Sequence, residues 1–123
     1  MASNRLAPIV FAPRGKHTAT LIFLHGLGDT GHGWAMTFNQ FAPSYLKVVC
    51  PNAAQAPVTL NMGMVMPSWY DIYHLDDNPG RPRENLDQVE ESVKYLETVI
   101  QNETGERKNH TIFVSKENTL PFN

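Results

Sequence analysis

His25-Gly26-Leu27-Gly28-Asp29-Thr30-Gly31-His32-Gly33-Trp34 is the stretch on which the fold turns. Before it stands Ala19-Thr20-Leu21-Ile22-Phe23-Leu24-His25, apolar and β-rich without alternation, the signature of a strand covered on both faces. After it, Trp34, Phe38 and Phe41 fall at i, i+4 and i+7, which predicts a helix over 34–45 with Pro43 as its stop. Leu46-Lys47-Val48-Val49-Cys50 is a further strand, closed by Pro51. Upstream, Ile9-Val10-Phe11-Ala12 is a short strand between Pro8 and Pro13. Downstream, 52–82 has no clear period and reads as one long loop, a length that often carries function. Leu86, Val89, Val93, Leu96 and Ile100 then mark one face of a helix, with Asn85 and Gln88 as a capping-box pair and Gly105 as its stop. Thr111-Ile112-Phe113-Val114 is the fourth strand. Strands alternating with helices predict an α/β fold with a mostly parallel sheet and flanking helices.

The glycine stretch has two readings. Gly26-Leu27-Gly28-Asp29-Thr30-Gly31 is a literal G-x-G-x-x-G between strand and helix, the context of a dinucleotide site such as an NAD-binding Rossmann domain. That fold needs a carboxylate at the end of the next strand to hold the ribose. Here the strand ends Cys50-Pro51-Asn52, and Asp29 would place a negative charge beside the pyrophosphate. The other reading takes His25-Gly26 at the strand end as part of an oxyanion-hole loop, where glycine lets the backbone turn sharply and approach a developing oxyanion.

Composition narrows the classes. The chain has 123 residues, 10 Lys+Arg against 12 Asp+Glu, 41% hydrophobic and 18% charged residues, which suits one small globular domain. A net charge of −2 gives no basic footprint for nucleic acid or an anionic membrane. No apolar run is long enough to span a bilayer, and Met1–Arg5 has no signal-peptide character. One cysteine, Cys50, forms no internal disulfide, so a cytoplasmic location is expected and the sequons at Asn102 and Asn109 are silent. The scattered histidines have no zinc spacing.

The ten-residue string occurs together with Cys50-Pro51-Asn52-Ala53, Pro57-Val58-Thr59-Leu60-Asn61-Met62-Gly63 and Met66-Pro67-Ser68-Trp69-Tyr70-Asp71-Ile72. In this order and spacing the chain resembles the acyl-protein thioesterase (lysophospholipase-like carboxylesterase) family over residues 6 to 113. The resemblance implies an α/β-hydrolase fold, no cofactor and no metal, and hydrolysis of long-chain acyl thioesters or esters, with S-palmitoylated proteins and lysophospholipids as substrates. It implies that Leu27 gives an oxyanion-hole backbone N–H, that His25, Gly26, Gly28 and Asp29 build the site loop, and that Leu60, Met62, Met64, Met66 and Trp69 flank an acyl channel. By residue type alone the apolar run from Leu60 to Met66 reads as ordinary core rather than as a chain-binding surface. Ser68 is expected to be a turn hydroxyl and Asp71 a turn or ion-pair residue. His25 and His32 are expected to orient the loop by hydrogen bonds.

A serine hydrolase of this kind needs G-x-S-x-G after the fourth strand, then Asp, then His. The sequence there is Phe113-Val114-Ser115-Lys116-Glu117, with bulky residues where the elbow needs glycines. No triad member is therefore assigned. Residues 1–113 are expected to be the N-terminal part of an α/β-hydrolase domain, and 114–123 a non-family tail. Val114-Ser115 can be encoded by GTAAGT, a splice-donor sequence, which suggests read-through into an intron. Three functional readings follow: a hydrolase relative inactive by itself, a non-catalytic binder of acyl chains or of a partner, and an unstable fragment.

Overall fold

The computed structural model describes residues 4–105 and 110–117. Asn109 and the residues after Glu117 lie outside them. Six strands and two α-helices run in the order β1 (Ile9–Phe11), β2 (Ala19–Leu24), α1 (His32–Phe41), β3 (Leu46–Cys50), β4 (Gln55–Val58), β5 (Met64–Pro67), α2 (Leu86–Thr104) and β6 (Thr111–Lys116). The main sheet has the order β1-β3-β2-β6. β2 lies parallel to β3 and to β6, with Leu21 opposite both Val48 and Phe113, while β1 runs antiparallel at the β3 edge.

Alternate residues of the central strands face opposite helices, as the pleat requires. Phe23, Val48 and Cys50 pack with Ala35 and Ala42 on the α1 side. Ile22 and Val49 pack with Val99 on the α2 side. The double coverage of β2 is therefore the physical origin of its unbroken apolar run.

Both helices occur where expected, but each turns a different face inward. In α1 the buried residues are Ala35 and, partly, Phe38, with Ala42 just beyond, whereas Trp34 and Phe41 are exposed. A small residue lets the helix lie close on the sheet, and the larger rings are displaced to its flank. The helix stops before Pro43, with Ala42 extended. Arg14 donates from outside the helix to the carbonyls of Asn39 and Ala42. In α2 the buried positions are Val99 and Glu103, with Tyr95, Leu96 and Ile100 beside them, and Leu86 is exposed.

Glu103 is buried with its charge paired and hydrogen-bonded. Its carboxylate takes the Lys47 ammonium at 2.9 Å and the Thr20 hydroxyl at 3.3 Å. Thr20 Oγ1 also lies 2.8 Å from His17 Nε2 and 3.0 Å from His110 Nε2. With its one proton on Glu103, the hydroxyl accepts from both rings, so both carry the proton on Nε2.

The stretch 52–82 is not the structureless connection its sequence suggests. β4 and β5 form an antiparallel hairpin, turned by a single 3₁₀ turn at Thr59–Asn61 and by Met62 and Gly63, both at positive φ. Pro57 and Pro67 hid these strands, since proline cannot serve a central ladder but is tolerated in a two-stranded ribbon. β6 also runs two residues beyond its expected end, so that Ser115 and Lys116 belong to the sheet rather than to a tail.

Candidate active site

The loop after β2 is pinned from every side. Gly28 has φ +80, where a side chain would be strained, and a Cβ at Gly31 would run into the Cys50 carbonyl oxygen. Asn52, buried at the end of β3, accepts from Gly31 N–H at 2.7 Å and donates to Ala7 O at 2.8 Å. The position that a dinucleotide fold would give to a ribose carboxylate is thus an amide holding the loop itself, and the glycines serve packing rather than pyrophosphate.

His25 is 3% exposed and fully engaged. Its Nε2 accepts from the Ala53 backbone N–H at 3.0 Å, which fixes the proton on Nδ1, and Nδ1 donates to Gly26 O at 2.7 Å. Both nitrogens are committed, so the ring orients the loop and has no lone pair free for base catalysis. The expectation for His32 fails in the same terms: its side chain is exposed, and its part in the loop is a backbone N–H donated to Thr30 Oγ1. Asp29 turns inward on the loop, accepting from Thr30 N–H at 2.8 Å.

From Gly26 to Gly33 every backbone N–H but one has an acceptor. Gly26 donates to the Glu117 carboxylate, Gly28 to Pro67 O, Asp29 to Gly26 O, Thr30 to Asp29, Gly31 to Asn52, His32 to Thr30 Oγ1 and Gly33 to Thr30 O. Within this loop, the Leu27 N–H has no acceptor among the described residues. A backbone N–H without a protein acceptor is free to donate to a solvent or ligand atom.

Leu27 borders a cavity of about 210 Å³. Its walls are mainly apolar: Leu60 from the hairpin turn, Trp69 and Ile72 from the following loop, and Val89, Val93 and Leu96 from α2. Trp69 is held by its indole N–H on His25 O at 2.9 Å and leans over the His25 ring. Asp71 accepts from both the backbone N–H and the hydroxyl of Thr59, tying the hairpin turn to the loop beneath. It is an anchor by hydrogen bonds, with no ion pair among the described residues. Ser68 is the expected turn hydroxyl, donating to Tyr70 O at 3.1 Å.

Of the residues expected at this site, the structure brings His25, Gly26, Leu27, Leu60 and Trp69 to the cavity wall. Gly28 and Asp29 shape the loop behind it. Met62, Met64 and Met66 do not reach the wall. Met62 is 99% exposed and Met64 62%, while Met66 is half-buried beside Gly28. Among the described residues no group of three His, Cys, Asp or Glu side chains is placed to hold a metal ion, and no helix is long and apolar enough to cross a membrane.

This arrangement agrees with what the sequence matches. A family model described as Phospholipase/Carboxylesterase covers residues 6–118. The chain belongs to the phospholipase/carboxylesterase family. It is 43% identical over 109 residues to acyl-protein thioesterase 1 of Gibberella zeae and 42% identical over 110 residues to that of Neurospora crassa. These alignments cover 84% of this chain but only 46% and 45% of the relatives. Among solved structures, Zea mays acyl-protein thioesterase 2 superposes with a TM-score of 0.74 at 25% identity, covering 89% of this chain and 45% of that one. Arabidopsis thaliana SOBER1 gives 0.67 at 32% identity, covering 80% and 49%. The chain thus spans about half the length of the relatives it matches, and its fold is that part of an α/β-hydrolase.

Within the phospholipase/carboxylesterase frame, three contributors to the site carried little sequence signal. Asn52 looks like any strand-end turn residue. Gln88, the expected second half of a capping box, sends its side chain to Asp71 N–H at 2.7 Å instead, which links α2 to the cavity wall. Glu117 stands where an elbow would need glycine and carries no signal of its own, yet its carboxylate lies on the loop.

Proposed function

We propose that these residues form the acyl-binding wall and one oxyanion donor of a cytoplasmic, cofactor-independent serine hydrolase acting on long-chain acyl thioesters and esters, S-palmitoyl proteins and lysophospholipids being the substrate classes. The observation that carries the reading is the unpaired Leu27 N–H at the edge of an apolar cavity. A scissile carbonyl has an apolar chain on one side and gains negative charge on its oxygen during attack. The cavity suits the chain, and a preorganised amide suits the oxygen. Such a donor strengthens its hydrogen bond as charge develops, and losing one costs roughly 10²–10³ in rate.

Leu60 and Trp69 form the part of the acyl wall expected from the sequence, while Gly28 and Asp29 keep the loop in shape. Met62 and Met64 face outward, Met66 is half-buried beside Gly28, and none of the three is assigned a part of the wall. No serine in these 123 residues has glycine two positions before and after it, so the 123-residue chain by itself is a binder without a nucleophile. Its expected behaviour with p-nitrophenyl octanoate is release of p-nitrophenolate at the rate of buffer alone, unchanged in Ser115→Ala. Turnover by the wild-type chain that Ser115→Ala abolishes would overturn this assignment.

A further inference from the structure

Glu117 follows β6 and extends its ladder by one bond, its N–H donating to Leu24 O at 2.9 Å. Its side chain turns back, and Oε2 accepts from Gly26 N–H at 2.8 Å. The carboxylate therefore sits on the amide next to the one left unpaired at Leu27. Beside it, Lys116 lines the same cavity, is exposed, and has no ion-pair partner among the described residues. The loop thus holds one anion of its own, with a second donor and a cation at hand.

We propose that Glu117 is a resident competitor for the oxyanion loop, and that the ligand which displaces it is a carboxylate-headed apolar chain, a free fatty acid. The fatty-acid carboxylate takes the Gly26 and Leu27 N–H groups, Lys116 is its counter-ion, and the hydrocarbon fills the apolar cavity. The inference rests on the acyl-cavity reading above and adds the head group and the device that limits its binding. A tethered carboxylate competes at high effective concentration, so its removal tightens a carboxylate ligand while leaving a neutral one little changed. A methyl ester lacks the charge that Lys116 and the vacated loop would hold.

The test is a tryptophan-fluorescence titration of the 123-residue chain with decanoate and, separately, with methyl decanoate. In Glu117→Ala the decanoate Kd is expected to fall about tenfold, while that of methyl decanoate stays within about twofold. Lys116→Ala, an exposed substitution, is a second variant whose folding is not in question. It is expected to weaken decanoate about fivefold and to spare methyl decanoate. Methyl decanoate binding with a decanoate Kd the same in wild type and both variants would overturn the role of Glu117 and Lys116 while leaving the acyl cavity standing. Failure of both ligands to bind any of the three chains would remove the acyl-cavity reading, and this inference with it.

Discussion

His25 shows how much of this site is decided by single polar atoms. Replacing it with alanine leaves the buried Ala53 N–H without an acceptor and Gly26 O without one of its donors. His25→Ala is expected to lower unfolding stability by about 2–3 kcal/mol, read from urea melts, since each buried orphan costs about 1–3 kcal/mol. A loss below 0.5 kcal/mol would mean that the loop is not held by this ring. Cys50 reports the core beneath the loop. Burial pushes its thiol up from the ordinary 9.0 to about 11. The folded chain keeps the proton to higher pH than the unfolded one, so this contribution is complete below about pH 9 and is lost as pH rises through about 11. Urea midpoints measured from pH 8 to 11 are expected to fall more steeply for wild type than for Cys50→Ala, and parallel slopes would contradict the burial. At this scale the sequence was uneven to read. The Asn85 cap is legible because it depends on neighbours three residues away, and Asn85 Oδ1 indeed accepts from Gln88 N–H at 3.1 Å. The Leu27 donor is a property of backbone geometry, and Asn52 acts on a residue 21 positions away, so residue type announces neither.

Element existence was legible wherever one physical cause dominated. β2 and β3 are covered on both faces, and apolar runs without alternation say so. α2 has an N-cap, a 3-4 repeat and a glycine stop. Faces were less legible, because periodicity marks a stripe without knowing how closely the helix must lie on its sheet. Ala35 and Val99 won the inner positions over Trp34 and Leu86 for that reason. The β4–β5 hairpin escaped because its prolines and exposed methionines obey no core pattern. The cap of α2 makes a direct test. Asn85→Ala is expected to cost about 1 kcal/mol, as N-cap truncations usually do. Gln88→Ala leaves the Asp71 N–H unpaired, and is expected to cost about 1–3 kcal/mol and to loosen the loop bearing Trp69. Amide hydrogen exchange would separate them: faster exchange in the first turn of α2 for the former, and at Asp71 for the latter.

For the molecule as a whole, two helices on one four-stranded sheet leave β6 with an unpaired edge among the described residues, and Phe113 and Val114 about half exposed. An apolar strand edge pairs readily with other chains. The 123-residue chain by itself is expected to scatter light at concentrations where Phe113→Lys remains clear, with little change in the urea midpoint. Equal scattering from both would place the association elsewhere. The cavity, by contrast, lies where β2, the loop after it, the 58–72 segment and α2 converge, and it is enclosed largely by residues whose positions are fixed by hydrogen bonds. The most direct test of its assignment is an amide NMR titration of the 123-residue chain with methyl decanoate. A chain seated against Leu60 and Trp69 with its carbonyl on Leu27 predicts the largest shift at the Leu27 amide, with smaller ones at the Trp69 indole and Val89, and none at Met62 or Met64. Saturable shifts confined to Met62–Val65, with Leu27 unmoved, would contradict it.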